Sequence, residues 1–232
     1  MRNSNLNTAI LFFSRTKSSE IQHKRVLKGQ GLSLNATLCD ELSKNVRKEL
    51  QCVGLPVFWI DEELQRGASF GEKFKNAFHD IYAKGYDQII AVGGDIVGLS
   101  KDLLLQAKAN LSSAQAVLGP SFDGGDYLIA LHKNTFSKLD FVGLNWQTSE
   151  LHKDLETAIS TLGVSLQLLE TLHDVDDAKD FYEVLAKGLL SKAFVKVYLS
   201  KINIRKTQYT FLFYTHIYTG SIDGLRAPPL AA

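Results

Sequence analysis

The feature that most limits what this chain can become is the rhythm of its apolar residues. Short, unbroken apolar runs recur along it, each separated from the next by a segment long enough for a helix or a loop. Thr8 to Ser14 is the first, followed by Pro56 to Asp61, Asp87 to Gly93, Ala116 to Gly119, Tyr127 to His132 and Val164 to Leu169. Runs of this length without alternation are what strands buried on both faces require. Between them the period lengthens. Phe70, Phe74, Ala77, Phe78, Ile81 and Tyr82 line one face of a helix that Gly85 is placed to end. Further helices are expected from about Ser33 to Gln51, from Ser100 as N-cap to Asn110, from Leu151 to Leu162 ahead of Gly163, and from near Asp177. Parallel neighbours need a crossover, so this order predicts a three-layer α/β/α domain around a mostly parallel sheet. One pair, 116–119 and 127–132, is joined by too few residues for a helix and is either antiparallel or a bent continuation.

Composition narrows the class. The chain has 232 residues, 45% of them hydrophobic, with only 4 Pro. A domain of this size buries about 70% of its extended-chain surface, so neither disulfides nor a structural metal are needed to hold it. Its two cysteines, Cys39 and Cys52, fall in one expected helix, too far apart along a continuous axis to bridge. They are expected to be free thiols in a reducing cytoplasm. Neither a signal peptide nor an apolar stretch of membrane-spanning length is visible, so a cytoplasmic protein is expected.

The formal net charge of +1 conceals a division. From Lys187 onward stand seven basic residues and one acid, Asp223, whereas residues before it are net acidic. We therefore expect a domain over 1–187 and a basic extension over 188–232. Leu190, Phe194, Val197 and Tyr198 share a helical face within Leu189 to Lys206, either as a surface for a membrane or partner or packed on the domain, and the last residues read as unstructured. No footprint for nucleic acid covers the main body.

In sheets of this kind ligands lie beyond the carboxyl ends of the strands, and that is where the chemistry concentrates. After the first strand comes a donor-rich stretch including Arg15, Lys17, Lys24 and Arg25, either a solvated basic loop or a phosphate contact. After the third stand Gly93 and Gly94, which allow close backbone approach, and Asp95, either a carboxylate placed to hold Mg²⁺ or an acid that steadies a helix N-terminal turn. Asp123-Gly124-Gly125-Asp126 follows the fourth and is a turn or a ligand loop. Beyond the sixth, Asp174 and Asp176 would face the same side of an extended segment and supply further carboxylates, unless they serve only a helix start. The local motifs of zinc sites, nucleophile-elbow hydrolases and P-loop NTPases are missing. The six histidines show no ligand spacing, and only His23 and His173 lie in these loops.

Taken in order, the set from Phe13-Ser14-Arg15 with Lys24-Arg25, through Gln65-Arg66-Gly67, Phe70-Gly71-Glu72-Lys73-Phe74, Gly93-Gly94-Asp95, Leu118-Gly119-Pro120, Asp123-Gly124-Gly125-Asp126-Tyr127 and Trp146 with Thr148, to Asp174-Val175-Asp176, resembles one family. It is similar to the bacterial glycosyltransferase-A-like (GT-A) transferases of the selenodomain-associated type, related to nucleotide-diphospho-sugar transferases and cofactor guanylyltransferases, over about residues 8–183. The resemblance implies a Mg²⁺- or Mn²⁺-dependent transferase acting on a nucleotide or nucleotide-sugar and an unidentified acceptor. Glycosyl transfer and nucleotidyl transfer both suit it, as does a member that binds without turnover. By the same resemblance Asp95, Asp174 and Asp176 are the catalytic, metal-binding acids. Arg15, Lys24, Arg25, Gly93 and Gly94 contact the nucleotide, and Asp123, Gly124, Gly125 and Trp146 line the acceptor or sugar side. The chain departs from the family pattern where it has Glu20 in place of a glycine near the phosphates, His23 in place of a lysine, Gly94 in place of a serine, Val97 in place of a proline, and Asp126 in place of a tyrosine. Glu20 would repel a diphosphate unless it turns away or pairs with Lys17.

Overall fold

A computed structural model describes residues 6–24, 26–27 and 32–201. In chain order the elements are β1 (Thr8–Phe13), α1 (Lys17–His23), α2 (Leu32–Cys52), β2 (Val57–Ile60), α3 (Phe70–Ala83), β3 (Gln88–Val92), β4 (Ile96–Val97), α4 (Lys101–Leu111), β5 (Ala116–Pro120), β6 (Asp126–His132), α5 (Lys133–Phe136), α6 (Leu151–Thr161), β7 (Leu166–Leu168), β8 (His173–Asp174), α7 (Ala178–Ala186) and α8 (Lys192–Lys201). Six strands form one sheet in the order β2-β1-β3-β6-β5-β7, and β4 pairs with β8 in a separate two-stranded ribbon.

The apolar runs are continuous because the central strands are covered on both faces. In β1, Ala9, Leu11 and Phe13 join α3 and α6 in one core, while Ile10 and Phe12 join α2 and α4 in another. All six β1 residues are buried. The ambiguous pair is antiparallel: residues 121–125 can only turn the chain back, so β6 runs against both β3 and β5 in an otherwise parallel sheet.

Helix limits follow local chemistry. Ser69 and Glu72 form a reciprocal capping box at the start of α3, Ser100 caps α4, and Asp177 caps α7. Residues 17–23, read from sequence as loop, form α1 instead. The stretch has neither glycine nor proline, and the Thr16 hydroxyl accepts from the Ser19 N–H. Cys39 is buried and Cys52 exposed, both free, on opposite turns of the single helix α2.

The basic extension is not a separate layer over its described part. Leu190, Phe194, Val195 and Tyr198 bury themselves with Phe181 of α7 and with Leu34, Leu38 and Leu42 of α2. Val197, expected on the apolar face, points outward, and Val195 takes its place. That face is covered by α2 and α7 and so is not presented to a membrane. No helix among the described residues is long and apolar enough to cross one. Residues 202–232 lie outside the described residues.

Candidate active-site cleft

The carboxyl ends of β1, β2, β3 and β5 and the start of β6 open into one cleft of about 1000 Å³. Of the residues singled out from sequence, Arg15, Lys24, Gly93, Gly94, Asp95, Asp123, Gly125, Trp146, Asp174 and Asp176 all line it. Arg25 lies outside the described residues. Gly124 serves the wall from behind: its φ is +94°, and a Cβ there would sit 2.2 Å from the Ser149 carbonyl oxygen. Only glycine lets this turn approach the segment that carries Trp146.

One wall is built from charge. The β4–β8 ribbon sets Ile96 opposite Asp174, and the Val175 N–H donates to the Asp95 carbonyl, so the two acidic segments are held side by side. Into them reaches Lys24, only 9% exposed. Its ammonium donates to Asp95 and to Asp176, lies 3.6 Å from Glu20, and donates to the Val175 carbonyl at 3.2 Å. Burial works against the charge on Lys24, but Asp95, Asp176 and Glu20 together outweigh it and hold the ammonium above its ordinary value. Burial likewise pushes the Asp95 carboxyl up, and Lys24 overrides it and holds the group below its usual range. Glu20 does not pair with Lys17, as the sequence allowed. Lys17 goes to Asp40 at 2.8 Å, while Glu20 sits between Lys24 and Arg15, 3.8 Å from the latter.

Asp123, Asp174 and Asp176 bring carboxylate oxygens within 4.8 Å of one another. This trio differs in one member from the acids expected to share a metal: Asp123, expected on the substrate side, joins Asp174 and Asp176, while the Asp95 carboxylate is on Lys24. Three hard oxygen donors suit Mg²⁺ or Mn²⁺. Burial, then the neighbouring Asp123, Asp95 and Asp176, pushes the Asp174 carboxyl up to about 7.

At the foot of the same wall stands Asp126, whose side chain is wholly buried. Burial, with Glu156 and Asp123 nearby, pushes its carboxyl up to about 9. One oxygen is 2.9 Å from His152 Nδ1 and the other has no partner among the described residues. Cys39 also lines the cleft, but burial and then Glu20 push its thiol up to about 11, which disarms it as a nucleophile.

Another part of the lining is aromatic. Trp146 packs against Phe70, Phe74 and Phe141 with ring centroids 5.2–5.6 Å apart, and a Cβ on Gly71 would lie 2.7 Å from the Trp146 ring nitrogen. Beside it Gln147 takes a positive φ of 62°, uncommon for a side chain of its size. Much of the motif around Phe70-Gly71-Glu72 is therefore structural: Gly71 seats Trp146 and Glu72 completes the cap. Arg66 pairs at the surface with Asp80.

Two further cations line the cleft: Arg47, which the sequence did not single out, and Lys73, which stands in the motif Phe70-Gly71-Glu72-Lys73-Phe74. Arg47, on α2, holds its guanidinium 4.9 Å from the Phe12 ring and 5.0 Å from Trp59, with Nε donating to Ser43. Neither Arg47 nor Lys73 has a carboxylate partner among the described residues, and both line the cleft. Nothing in the spacing of α2 marks Arg47, since it becomes part of the site only when the helix is laid against β1 and β2.

Comparison with known proteins agrees with the architecture. Residues 59–148 match the profile of a family described as an uncharacterized protein conserved in bacteria (DUF2064). A candidate nucleotide-diphospho-sugar transferase from Desulfovibrio desulfuricans G20 superimposes with a TM-score of 0.65 at 22% identity, over 94% of this chain and 100% of that one. A cytidylyltransferase from Leptospira borgpetersenii matches with a TM-score of 0.44 at 13% identity, over 87% of this chain and 99% of that one. A manganese complex of Rv0371C from Mycobacterium tuberculosis gives 0.43 at 14% identity, over 77% and 97%. No curated protein sequence matches. With the α/β/α layers, the mostly parallel sheet and a fit over 94% of its length, the chain shares the fold of that Desulfovibrio protein, and its segment 59–148 matches DUF2064.

Proposed function

We propose that this chain is a nucleotide-utilising transferase that moves a glycosyl group from a nucleotide-activated donor to an acceptor bound near Trp146. The observation that supports it is the division of charge across one cleft. Asp123, Asp174 and Asp176 gather their carboxylates, and the cations Arg47 and Lys73, without a carboxylate partner among the described residues, line the same cleft, as a diphosphate carried with a divalent cation would require.

Gly93 and Gly94 leave the backbone after β3 bare, so a phosphate can approach it closely. A Cβ on Gly94 would already touch the Phe12 ring at 3.3 Å. Arg47 offers its remaining N–H groups in a plane fixed by two rings and Ser43, which suits two-pronged contact with phosphate oxygens. Arg15 adds a second cation at the end of β1. Asp123, Asp174 and Asp176 would hold Mg²⁺ or Mn²⁺, which when bound would neutralise charge on the donor phosphates. Asp123 is steadied by Ser121, whose hydroxyl donates to it at 2.6 Å, and by the Gly125 N–H at 2.9 Å. Trp146 and the segment after it border the space left for the acceptor.

Calorimetric titration of GDP-, UDP-, CDP- and ADP-linked sugars and of nucleoside triphosphates, each with Mg²⁺, tests this. Binding of at least one is expected, and loss of that binding in Asp174→Asn. Silence from every donor would end the proposal. Released nucleoside diphosphate identifies glycosyl transfer, whereas released pyrophosphate identifies nucleotidyl transfer on the same scaffold.

A further inference from the structure

Lys24 is the buried cation of the cleft, and its carboxylate partners all line it. It has Asp95 and Asp176 in direct contact, Glu20 at 3.6 Å and the Val175 carbonyl at 3.2 Å. Oxygen atoms surround its ammonium much as they would a bound cation. One of those carboxylates, Asp176, also belongs to the trio with Asp123 and Asp174. A divalent ion that takes Asp176 fully therefore competes with an ammonium already seated on it.

We infer that Lys24 is a built-in counter-ion that occupies the Asp95–Asp176 end of the acidic site and keeps divalent cations weakly bound until an anionic group draws the ammonium away. The anion would be a phosphate group, the class of ligand proposed above for this cleft, and the inference rests on that reading only for this second half. Several features of the chain fit the exchange. Lys24 directly follows the short helix α1, one step after its last residue His23, so its backbone is not locked within a long element. Glu20, one turn earlier, follows the ammonium on the same helix face and is also within reach of Arg15, which could keep Glu20 neutralised once Lys24 turns away. Asn35 secures the backbone instead, donating to the Lys24 carbonyl and accepting from the Leu27 N–H, so the side chain can swing without moving the chain around it. By linkage, an anion that removes Lys24 from Asp176 must raise the affinity for the cation, and the cation must raise that for the anion.

The test is Mn²⁺ binding to the full chain, followed by electron paramagnetic resonance of free Mn²⁺, with no nucleotide present. Lys24→Met is expected to bind Mn²⁺ at least tenfold more tightly than the unaltered protein, and equal or weaker binding would overturn the inference. Inorganic phosphate, added at constant free Mn²⁺, should increase the bound ion in the unaltered protein and leave Lys24→Met unchanged. An equal response in both would remove the anion's part. Because the substitution takes the ammonium away from Asp95 and Asp176, Lys24→Met and Lys24→Gln should melt at lower temperature in EDTA and recover with Mn²⁺. If neither recovers, the ion cannot stand in for the ammonium and the inference falls. Tighter Mn²⁺ binding in the variant together with no donor binding in the earlier titration would leave the counter-ion in place and discard the transferase reading.

Discussion

The two walls of the cleft are made of residues from the same set of motifs, yet they owe their shape to different physics. On the Trp146 side, Phe70, Phe74, Phe141 and Trp146 interlock, with Gly71 leaving the gap the indole needs. Their stability comes from apolar area removed from water, and no one contact is critical to chemistry. On the Lys24 side, one buried ammonium is held by carboxylates that are half-buried, Glu20 and Asp95, or exposed, Asp176. There the energy depends on each partner being present, because a lone buried charge is strongly disfavoured. One set of motifs can therefore pack as an apolar cluster in one part and gather charge in another.

The sharpest way to separate the walls is to remove one member of each. Phe74→Ala, deleting a ring that touches five others, should lower unfolding stability by about 3–5 kcal/mol in urea denaturation. A loss below about 1 kcal/mol would mean the aromatic wall is not cooperative.

Charge answers to pH where packing does not. Asp126, raised to about 9 in the folded chain against an ordinary value of 3.8, keeps a proton that the unfolded chain has released. Its contribution to stability is greatest below about pH 4 and declines as pH rises toward 9, with a slope of up to about 1.4 kcal/mol per pH unit. Asp126→Asn should flatten the stability profile between those limits, so that the variant gains on the unaltered protein as pH rises. Parallel profiles would show that His152 already compensates the charge.

Asp95→Asn should lower stability by about 1–3 kcal/mol, since Lys24 keeps Asp176 and Glu20 but loses a charged partner. Arg47→Ala should leave stability nearly unchanged while weakening donor binding about tenfold, or about 1.4 kcal/mol. Equal binding by this variant would take Arg47 out of the site. Least affected should be Arg66→Ala. Its pair with Asp80 is exposed, and a change under about 1 kcal/mol in the same denaturation assay is expected.

Most of the fold was readable in advance because strand and helix periods are local. Runs such as 8–14 and the face from Phe70 to Tyr82 carry their own pattern, and Ser69, Ser100 and Asp177 mark starts that need no tertiary context. Helix α1 escaped notice because the stretch between Arg15 and Arg25 is dominated by polar and charged residues, and its cap at Thr16 is a single hydroxyl. The residues of the cleft were legible as a set. Their pairings were not, since the Asp95 and Asp176 segments that Lys24 joins are brought side by side only when β4 and β8 pair.

From its order of residues alone, this chain specified a mostly parallel α/β/α domain and gathered its acids and glycines behind strand ends, because periodicity and chain connection suffice for both. Tertiary structure alone decided that Asp123 rather than Asp95 completes the acidic trio, that Arg47 faces the cleft, and that Lys24 is seated among Asp95, Asp176 and Glu20. The reason is range. Propensity acts over a few neighbours, whereas a buried charge selects its partners from every segment that folding brings within a few ångströms of it.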